Sequence, residues 1–486
     1  MQFQECLCMT TAIQTKQNSI TVNTLKQKID NKKDLVIFDV RSKKSFEKSH
    51  IPNAVYAVCD TNSQQNIMPK LPKNLEYVLV GDGESGDKND TYVSQMSSMM
   101  KEIGFNISFL ENGMSSWSEN TVSGISQDID SQNLKKMIDK NEKFILVDVR
   151  ESQEYEEWNI NNSINIPLSQ ISEKISEISQ NKKIIAVCTS GNRSTIAKYI
   201  LSSHGLESST LTGGMDSWST SFENGEINVE TKEGHVNIVQ VRRIGKGCMS
   251  HVVSSKNESI VIDPVYPIEE YIKIAQEKKT KIIAVFDTHQ HADHISAAKK
   301  LADTTNATLH LSGYESYDIQ SSKVFNGDSQ KFGTTSLHVI HTPGHTLGSL
   351  SFLVAEKFLF SGDTIFVDSV GRPDLRDNGK EYAEILYHTI HKKIMTLNDD
   401  VMILPTHFEK QSPSGSMITV SVSQAKRIIS ILKKSNDEFV ETIGNISIPT
   451  PPNYKKIIEY NKTSIDKPQE ELMALESGPN RCAVTM

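Results

Sequence analysis

Short apolar runs alternate with helical stretches through the first half of the chain. Residues 144–149 (FILVDV) and 183–188 (KIIAVC) are two such runs, and both contain β-branched side chains. Residues 194–205 (STIAKYILSSHG) follow with a helical pattern that starts at a serine and ends at a glycine. Strands that alternate with helices are typical of a mainly parallel sheet with helices on both faces. The pattern therefore predicts an α/β fold.

The same pattern occurs twice in succession. Residues 35–54 match residues 145–167, and Gly104–Trp117 (GFNISFLENGMSSW) matches Gly205–Trp218 (GLESSTLTGGMDSW). Each repeat is about 100 residues long, which is a usual size for one domain. We therefore predict a tail and two α/β domains, at residues 1–18, 19–124 and 125–224.

The pattern changes after Trp218. Residues 222–237 are polar and show no clear period, so a domain boundary is expected there. Strand-like runs follow, and residues 282–287 (IIAVFD) directly precede a histidine cluster. A third domain is predicted at residues 232–461, and the polar residues 462–486 are predicted to form a loose tail.

Composition and charge argue against several classes of protein. The 486 residues are 37% hydrophobic and 23% charged, with a net charge of −8, and they show no basic stripe that would indicate nucleic-acid binding. No apolar run approaches the ~18 residues of a membrane helix. The N-terminal residues lack the apolar core of a signal peptide. The six cysteines are scattered, as in proteins of a reducing compartment, so we expect a cytoplasmic multi-domain protein.

A loop at the end of one predicted strand carries the first candidate chemistry. Cys188 follows the strand, and a short glycine-containing loop leads into the helix. Backbone N–H groups at a helix N-terminus favour a thiolate and an anion bound to it, and Arg193 adds a positive charge. We predict that Cys188 and Arg193 are catalytic, with substrate bound by Ser190, Gly191, Asn192 and Ser194. The alternative is that Cys188 is a small buried core residue.

These residues resemble the rhodanese family of sulfurtransferases. The matching motifs are residues 148–151 (DVRE), 188–194 (CTSGNRS) and 213–218 (GGMDSW). The family's Gly-His-Ile segment reads Trp158-Asn159-Ile160 in this chain. The resemblance implies that Cys188 carries sulfane sulfur as a persulfide.

The first repeat resembles the same family except at its active loop. Residues 39–41 (DVR), 50–54 (HIPNA) and 112–117 (NGMSSW) match, but residues 81–90 (GDGESGDKND) contain neither cysteine nor arginine. Cys59 lies upstream of this loop and cannot replace the missing thiol. The loop's acidic side chains would repel an anion: Asp82, Glu84, Asp87 and Asp90. We predict a catalytically silent copy that serves as a scaffold, a docking surface or a partner site.

The second half of the chain carries candidate metal ligands in four places. They are residues 289–294 (HQHADH), His345 in HTPGHTLGS, Asp363 in LFSGDTIF and His407 in MILPTHF. These residues follow predicted strands or lie in a tight loop. Imidazole and carboxylate groups therefore converge from several loops, as a metal site requires.

This order of motifs resembles the metallo-β-lactamase superfamily over residues 236–460, which implies an αββα sandwich of two sheets flanked by helices. The superfamily includes two-zinc hydrolases such as glyoxalase II and one-iron oxygenases. A two-metal site would use His289, His291 and His345 at one metal, Asp293, His294 and His407 at the other, and Asp363 as the bridge. A one-iron site needs two histidines and one carboxylate. The ligand residues alone do not decide between the two.

The neighbouring residues resemble those of persulfide dioxygenases. Residues 371–375 (GRPDL) match a signature of that family, and segments 245–253, 262–265 and 451–461 also look like it. The resemblance implies one Fe(II) per chain, or Zn(II) as the alternative, held by His289, His345 and Asp363. It also implies that Arg372 contacts glutathione. Four further residues would surround these ligands or hold a second metal: His291, Asp293, His294 and His407. Cys248 is expected to be a strand residue without a chemical role.

Together the two resemblances predict a bifunctional sulfur enzyme. Its iron site would oxidise glutathione persulfide with O₂ to sulfite and glutathione, and Cys188 would pass sulfane sulfur between thiosulfate and sulfite. A fusion raises the local concentration of such a reactive intermediate. One alternative is a zinc-dependent thioesterase of the glyoxalase II type, and another is a persulfide-responsive binding protein with weak turnover. A homo-oligomer is compatible with all three.

Overall fold

The computed structural model covers most of the chain. It describes residues 19–31, 34–57, 61–83, 88–124, 128–178, 182–374, 378–408, 415–446, 449–451, 453–465, 467–468, 471–472, 475–476, 478 and 480–482. The predicted N-terminal tail and Cys59 lie outside the described residues, as do Glu84, Asp87 and the side chain of Asp90. The chain divides into two compact units, Met1–Trp218 and Ser219–Met486.

The first repeat forms a parallel sheet. Its strands are β1 (Ser19–Ile20), β2 (Leu35–Asp39), β3 (Val55–Tyr56), β4 (Glu76–Val80) and β5 (Asn106–Leu110). Its helices are α1 (Val22–Asp30), α2 (Lys43–Lys48), α3 (Thr61–Asn66) and α4 (Lys88–Glu102), with 3-10 turns at Met68–Lys70 and Gly113–Ser116. The strands pair in the order β1-β5-β4-β2-β3, all of them parallel.

The second repeat has the same plan. Its strands are β6 (Phe144–Asp148), β7 (Ile164–Asn165), β8 (Lys183–Val187) and β9 (Ser208–Thr210). Its helices are α5 (Ser131–Asp139), α6 (Ser152–Glu157), α7 (Asn192–Ser203) and α8 (Gly214–Thr220), with 3-10 turns at Leu168–Gln170 and Ile175–Glu177. The parallel strands pair in the order β7-β6-β8-β9.

The two repeats share one hydrophobic core. Phe38 and Leu79 of the first repeat belong to the same buried cluster as Ile184 and Ile196 of the second. Strand β2 is buried along its whole length, because alternate residues face this cluster and a second one that contains Ile37. The predicted parallel sheets are therefore confirmed, and the first repeat is structurally part of the unit that carries Cys188.

The second unit begins with a seven-stranded mixed sheet. Its strands are β10 (Phe222–Thr231), β11 (Gly234–Arg243), β12 (Met249–Ser255), β13 (Glu258–Ile262), β14 (Lys281–Phe286), β15 (Thr308–Ser312) and β16 (Ser322–Val324). They pair in chain order, antiparallel up to β13 and parallel from there on. The helices that accompany them are α9 (Glu269–Glu277) and α10 (Ala298–Thr305).

A six-stranded sheet follows. Its strands are β17 (Ser329–Phe332), β18 (Thr335–His341), β19 (Leu350–Val354), β20 (Phe358–Gly362), β21 (Met402–Pro405) and β22 (Val420–Ser421), paired in chain order. The helices are α11 (Gly379–Thr389), α12 (Val422–Ile428), α13 (Asn436–Gly444) and α14 (Tyr454–Thr463), with a π-helical turn at Ile390–Ile394 and a 3-10 turn at Ser430–Lys433.

Three buried clusters hold these layers together. Phe286 and Phe352 lie in the cluster between the two sheets. Leu386 of α11 packs in a second cluster against the six-stranded sheet, and Leu301 of α10 packs in a third against the seven-stranded sheet. This arrangement confirms the predicted αββα sandwich. No helix among the described residues is long and apolar enough to cross a membrane.

The first strand of the sandwich starts earlier than the sequence pattern indicates. The domain start is predicted at residue 232, but β10 already begins at Phe222 and pairs with β11 along its length. Ile227 and Val229 pack against the core, while Glu226 and Asn228 are exposed. The alternation is therefore present, but only two apolar residues mark it in a polar segment.

The C-terminal segment is the clearest correction. Residues 462–486 are predicted to be loose, yet Leu472, Glu476 and Cys482 are buried. The backbone N–H of Ile295 donates to the Glu476 carboxylate at 2.6 Å, and Arg243 forms an ion pair with it. Single anchoring side chains hold this segment, and these produce no periodic signal in a sequence.

Candidate functional site

Cys188 lies at the carboxyl end of the buried strand β8, directly before helix α7. Its thiol is 1% exposed, and Sγ accepts a hydrogen bond from the backbone N–H of Gly191 at 3.1 Å. The hydroxyl of Ser194 lies 3.5 Å from the same sulfur. The Gly191 N–H is a donor of the kind that stabilises an anionic sulfur. The Ser194 hydroxyl itself donates to the carbonyl oxygen of Gly191 at 3.0 Å. Cys188 also belongs to the hydrophobic core cluster of this unit, so its catalytic role and the alternative of a core residue both stay predictions.

Gly214, at the start of α8, determines the shape of the Cys188 loop. The N–H of Met215 donates to the carbonyl oxygen of Cys188 at 2.8 Å. Gly214 has a φ of +57°, and a Cβ atom at this position would come within 2.2 Å of the same oxygen. Gly214 of the GGMDSW motif therefore lets the backbone of α8 lie close to the backbone of Cys188, and it supplies no reactive group.

Arg193 is held in a bidentate ion pair. Its two terminal nitrogens each donate to a carboxylate oxygen of Glu154 at 2.7 Å, and one of them also donates to Thr189 at 2.9 Å. Burial opposes ionisation of Glu154, but the hydrogen bonds and charge of Arg193 outweigh it and lower the pKa of Glu154 to about 2. Glu154 therefore offsets the positive charge that the sequence analysis expects Arg193 to contribute.

Lys70 of the first repeat lies beside this loop. Lys70 Nζ lies 3.7 Å from Glu154 Oε2. In its own loop, the first repeat places Gly81 where the second has Cys188, because Met114 N–H donates to Gly81 O at 2.7 Å as Met215 does to Cys188. The equivalent position therefore has no side chain, in line with the predicted silent copy.

Three of the predicted ligands converge in the second unit. His289 follows β14, Asp363 follows β20, and His345 lies in the loop between β18 and β19. The Nε2 atoms of His289 and His345 are each 3.7 Å from Asp363 Oδ2, and all three residues are buried. This triad presents two imidazoles and one carboxylate to a single point.

The surrounding contacts orient the triad. His345 Nδ1 donates to the carbonyl oxygen of Arg372 at 2.8 Å, and His289 Nδ1 lies 2.9 Å from the Thr288 hydroxyl. Asp363 Oδ1 accepts from His407 Nδ1 at 2.7 Å. These bonds fix the rings and the carboxylate, so that their other atoms face one another.

The free atoms of the triad fit a metal ion. His289 Nε2 and Asp363 Oδ2 are buried and have no hydrogen-bond partner. Such atoms cost free energy unless a cation binds them. Burial and the neighbouring imidazoles, first His291, hold the pKa of His289 well below its usual value, which keeps the ring neutral as a ligand must be.

The other predicted ligands do not join this triad. His291 Nε2 lies 3.2 Å from Asp263 Oδ1, and the Asp263 carboxylate also accepts from Thr288 N–H and from the Thr406 hydroxyl, each at 2.7 Å. His291 is thus grouped with Asp263 and Asp287 rather than with His345. The other ring nitrogen of His291, Nδ1, is buried without a hydrogen-bond partner, and the ring centroids of His291 and His289 lie 4.2 Å apart. The role of His291 as a ligand of a second metal therefore stays a prediction.

A second cluster contains Asp293, His294 and His407 together with Cys248. Asp293 Oδ2 lies 2.9 Å from His407 Nε2, and Asp293 Oδ1 lies 3.0 Å from His294 Nδ1. Cys248 Sγ is 3.6 Å from Asp293 and 3.8 Å from His294. Burial and Asp293 raise the pKa of Cys248, but His294 and His407 lower it further, to about 7. Cys248, for which no chemical role is expected from the sequence, therefore lies among these candidate ligands.

Arg372 contacts the chain itself rather than an open pocket. It is fully buried, and Nε and Nη2 donate to the Asp374 carboxylate at 2.7 Å each. Nη1 donates to the carbonyl oxygens of Pro449 and Arg481 at 3.0 Å each. Arg372 is expected from the sequence to bind a carboxylate of glutathione. In the structure its carboxylate partner is Asp374.

Sequence reasoning missed Asp263 and Cys482. Asp263 lies near the end of the strand-like run SIVIDP and within residues 262–265, which resemble the persulfide dioxygenases, but no role was assigned to it. Cys482 lies in a polar segment far from the ligand motifs. Its thiol nevertheless lies near Asp363 and His407, with the ligand atoms of all three within 4.8 Å of one another.

The matches to known protein families fall into two parts of the chain that correspond to the two units. Residues 21–120 and 130–221 each match the rhodanese-like domain family. Residues 243–407 match the metallo-beta-lactamase superfamily.

Individual relatives match the second unit. Human persulfide dioxygenase ETHE1, mitochondrial, is 31% identical over 201 residues, which cover 40% of this chain and 74% of that protein. The hydroxyacylglutathione hydrolase of Francisella philomiragia is 32% identical over 169 residues, 33% of this chain and 63% of that protein. The crystal structure of ETHE1 from Myxococcus xanthus, 26% identical, covers 49% of this chain and 97% of its own with a TM-score of 0.42. The match to the human protein shows that this chain belongs to the persulfide dioxygenase family, with two rhodanese-like domains in addition.

Proposed function

We propose that the chain is a bifunctional sulfur enzyme. The second unit oxidises glutathione persulfide with O₂ to sulfite and glutathione, using one Fe(II). The second repeat transfers sulfane sulfur through a persulfide on Cys188, with thiosulfate and sulfite as donor and acceptor. The observation that carries this proposal is the triad of His289, His345 and Asp363. Its ligand atoms lie within 4.8 Å of one another, and His289 Nε2 and Asp363 Oδ2 are buried without a hydrogen-bond partner.

The triad supports one iron rather than two zinc ions. Two histidines and one carboxylate on one face are the ligand set of non-haem Fe(II) oxygenases, which keep positions open for O₂ and substrate. Bound there, Fe(II) would supply O₂ activation and a binding position for the persulfide sulfur. His407 holds the second oxygen of Asp363, so that the carboxylate presents one oxygen to the metal position.

The protein surroundings serve the same reaction. All three ligand side chains are buried, which excludes bulk water from a reactive sulfur species. The carbonyl oxygen of Arg372 orients His345, so the buried Arg372–Asp374 pair supports the site through the backbone. Arg372 is on this view a positioning residue.

The sulfur-transfer step uses the cradle of Cys188. The thiolate attacks the outer sulfur of a donor such as thiosulfate, the S–S bond of the donor breaks, and sulfite leaves with the electron pair. The Gly191 N–H stabilises the anionic sulfur at Cys188. The reverse step, with sulfite as acceptor, regenerates the thiolate. The first repeat, which has Gly81 at the cysteine position, serves as a scaffold for this unit.

A zinc-dependent thioester hydrolase is the second candidate. The 32% identity to a hydroxyacylglutathione hydrolase favours it, and so does the cluster of Asp293, His294 and His407 beside the triad. A second metal in that cluster would make the site a hydrolase centre.

One experiment separates the candidates. The protein is purified anaerobically, Fe and Zn are measured per chain, and O₂ uptake with glutathione persulfide is compared with hydrolysis of S-lactoylglutathione. One iron per chain with persulfide-dependent O₂ uptake supports the proposal. Zinc with thioester hydrolysis and no O₂ uptake would replace it with the second candidate. Tight persulfide binding without either turnover would indicate a binding protein.

A further inference from the structure

A large cavity lies between the two repeats of the first unit. Its volume is about 570 Å³, and most of its lining comes from the first repeat. Close-packed protein interiors contain few voids larger than a water molecule, whereas binding sites for small molecules span roughly 300–1,000 Å³. The cavity therefore has the size of a binding site rather than that of a packing defect.

The wall of the cavity is mostly apolar. Phe46, Met68, Leu71 and Met96 line it from the first repeat, and Ile196 of α7 lines it from the second. All five of these side chains are buried. Such a wall favours a ligand whose surface is also apolar, because the hydrophobic effect then drives binding.

Directional contacts hold one part of this wall in place. The ring of His50 stacks on the ring of Phe46 with 3.8 Å between the centroids, and His50 Nδ1 donates to the carbonyl oxygen of Phe46 at 2.8 Å. The backbone N–H of His50 also donates to the carbonyl oxygen of Val122 at 2.9 Å. All three residues line the cavity, so a ligand would bind to a wall that is already ordered.

The charges at the wall are already paired. Lys198 Nζ donates to the Asp128 carboxylate at 2.7 Å, and Lys43 Nζ lies 3.8 Å from a carboxylate oxygen of Glu47. The described residues that line the cavity include no aspartate or glutamate. An ionic ligand would lose its hydration there without gaining an unpaired charge as a partner, whereas an uncharged ligand would not have this cost.

We propose that this cavity binds a small, uncharged and largely apolar molecule. The first repeat, which has Gly81 at the position of Cys188, supplies most of the wall and is therefore a ligand-binding partner of the second repeat. Helix α7, which begins directly after the Cys188 loop, supplies the rest. The proposal goes beyond the proposed function and depends on neither of its two reactions.

Two matched substitutions of alanine test the location of the site. Ala57 lines the cavity, is half-buried and packs against the core that the two repeats share. Ala57→Phe should therefore fill part of the cavity. Ala307 is also half-buried and packs against a core cluster, but it lies in the second unit. Ala307→Phe adds the same ring outside the cavity and is the control.

Two fluorescent probes that share an anilinonaphthalene skeleton test the chemical class of the ligand on the full-length chain. We expect uncharged N-phenyl-1-naphthylamine to bind saturably to the wild type and to Ala307→Phe, and at least tenfold more weakly to Ala57→Phe. The anionic 8-anilinonaphthalene-1-sulfonate should bind the wild type at least tenfold more weakly than the uncharged probe. No saturable binding of the uncharged probe, equal binding to the three proteins, or tighter binding of the anionic probe would refute the proposal.

Hydrogen exchange followed by mass spectrometry tests the same site without a variant, and so decides the question even where Ala57→Phe does not fold. Saturation of the wild type with N-phenyl-1-naphthylamine should slow exchange at least threefold in peptides that contain α2 or α7. Peptides of the second unit should exchange at an unchanged rate. Protection confined to the second unit, or no protection at all, would contradict the assignment.

Discussion

At the residue scale, identical motifs in the two repeats have the same structural role. Arg41 pairs with Asp39, and Arg150 with Asp148, each through a bond of 2.7 Å in a buried position. These DVR motifs carry much of the resemblance between the repeats, but they stabilise the end of a strand. The difference that matters for chemistry lies in the loop, where the first repeat has Gly81 at the position of Cys188 and has no arginine in residues 81–90.

The ion pair of Glu154 with Arg193 makes a pH-dependent contribution to stability. The pKa of Glu154 is lowered to about 2 from its usual 4.5, so its contribution is complete above about pH 4.5 and is lost as the pH falls through about 2. Glu154→Gln should lower the free energy of unfolding by about 1 kcal/mol at pH 7, a small value because the carboxylate is partly exposed to solvent.

Urea unfolding followed by tryptophan fluorescence measures this effect selectively, because all three tryptophans, Trp117, Trp158 and Trp218, lie in the first unit. The difference between wild type and variant should stay constant from pH 7 to 5 and shrink at lower pH. A difference that grows towards acid would contradict the assigned pKa.

The motifs place His289, His345 and Asp363 among the candidate ligands, but only the family resemblance selected these three, and the sequence could not orient their neighbours. His289, His345 and Asp363 each follow a strand or lie in a glycine-containing loop, which is a local signal. The direction of His291 depends on Asp263, 28 residues away in the chain, and Cys482 reaches Asp363 from a separate segment. Such contacts are set by tertiary packing, and no local pattern encodes them.

At the element scale, the turn into α8 determines the shape of the Cys188 loop. Gly214→Ala should disrupt it, because the backbone has a φ of +57° and the new Cβ would meet Cys188 O at 2.2 Å. We expect a loss of more than about 2 kcal/mol of stability and of sulfur transfer, with metal content unchanged.

Gly205→Ala is the matched control for this prediction. Gly205 also has a positive φ, +80°, but nothing lies within 4 Å of its added Cβ. It should cost only about 1 kcal/mol and leave sulfur transfer intact. Equal effects of the two substitutions on thiosulfate turnover would show that close approach to Cys188 is not important.

The 3-10 turn Met68–Lys70 gives the first repeat a role in the second. Met68 is buried in the shared core, which places Lys70 beside Glu154. The negative charge of Glu154 offsets the positive charge of Arg193. Lys70 therefore adds a positive charge next to the Cys188 loop. Lys70→Gln should therefore raise the KM for thiosulfate about fivefold with kcat nearly unchanged.

Steady-state kinetics at low and high salt test this charge effect. The difference between wild type and Lys70→Gln should diminish in high salt, since ions screen partly exposed charges. Lys44→Gln, a substitution of an exposed lysine on α2, should leave KM unchanged. A fall in kcat at constant KM would instead indicate that the turn acts only by supporting the fold.

Element prediction from the sequence succeeded where apolar periodicity was strong. The buried strands β2, β8 and β14 follow directly from runs of apolar residues. Strand β10 was missed because only Ile227 and Val229 mark its inner face. The anchoring of the C-terminal segment was missed because it depends on isolated side chains such as Glu476.

At the scale of the whole molecule, the two proposed chemistries occupy separate units. Cys188 lies in Met1–Trp218, and the triad lies in Ser219–Met486. They are connected by sulfite, the proposed product of the metal site and acceptor for the persulfide of Cys188. Substitutions in one site should therefore change which product accumulates and leave the other site intact.

Two variants test this connection. With glutathione persulfide and O₂, the wild type should form thiosulfate. Cys188 takes the outer sulfur of a second glutathione persulfide, which releases glutathione, and passes this sulfur to the sulfite from the metal site. Cys188→Ser should accumulate sulfite at an unchanged rate of O₂ uptake. Asp363→Ala should lose the metal and more than about 95% of O₂ uptake, equivalent to ~2 kcal/mol or more of transition-state stabilisation, yet retain transfer from thiosulfate.

A mixture of the two variants should restore thiosulfate formation if sulfite is released freely between the steps. Loss of both activities in both variants would show that the two units do not work as separate sites.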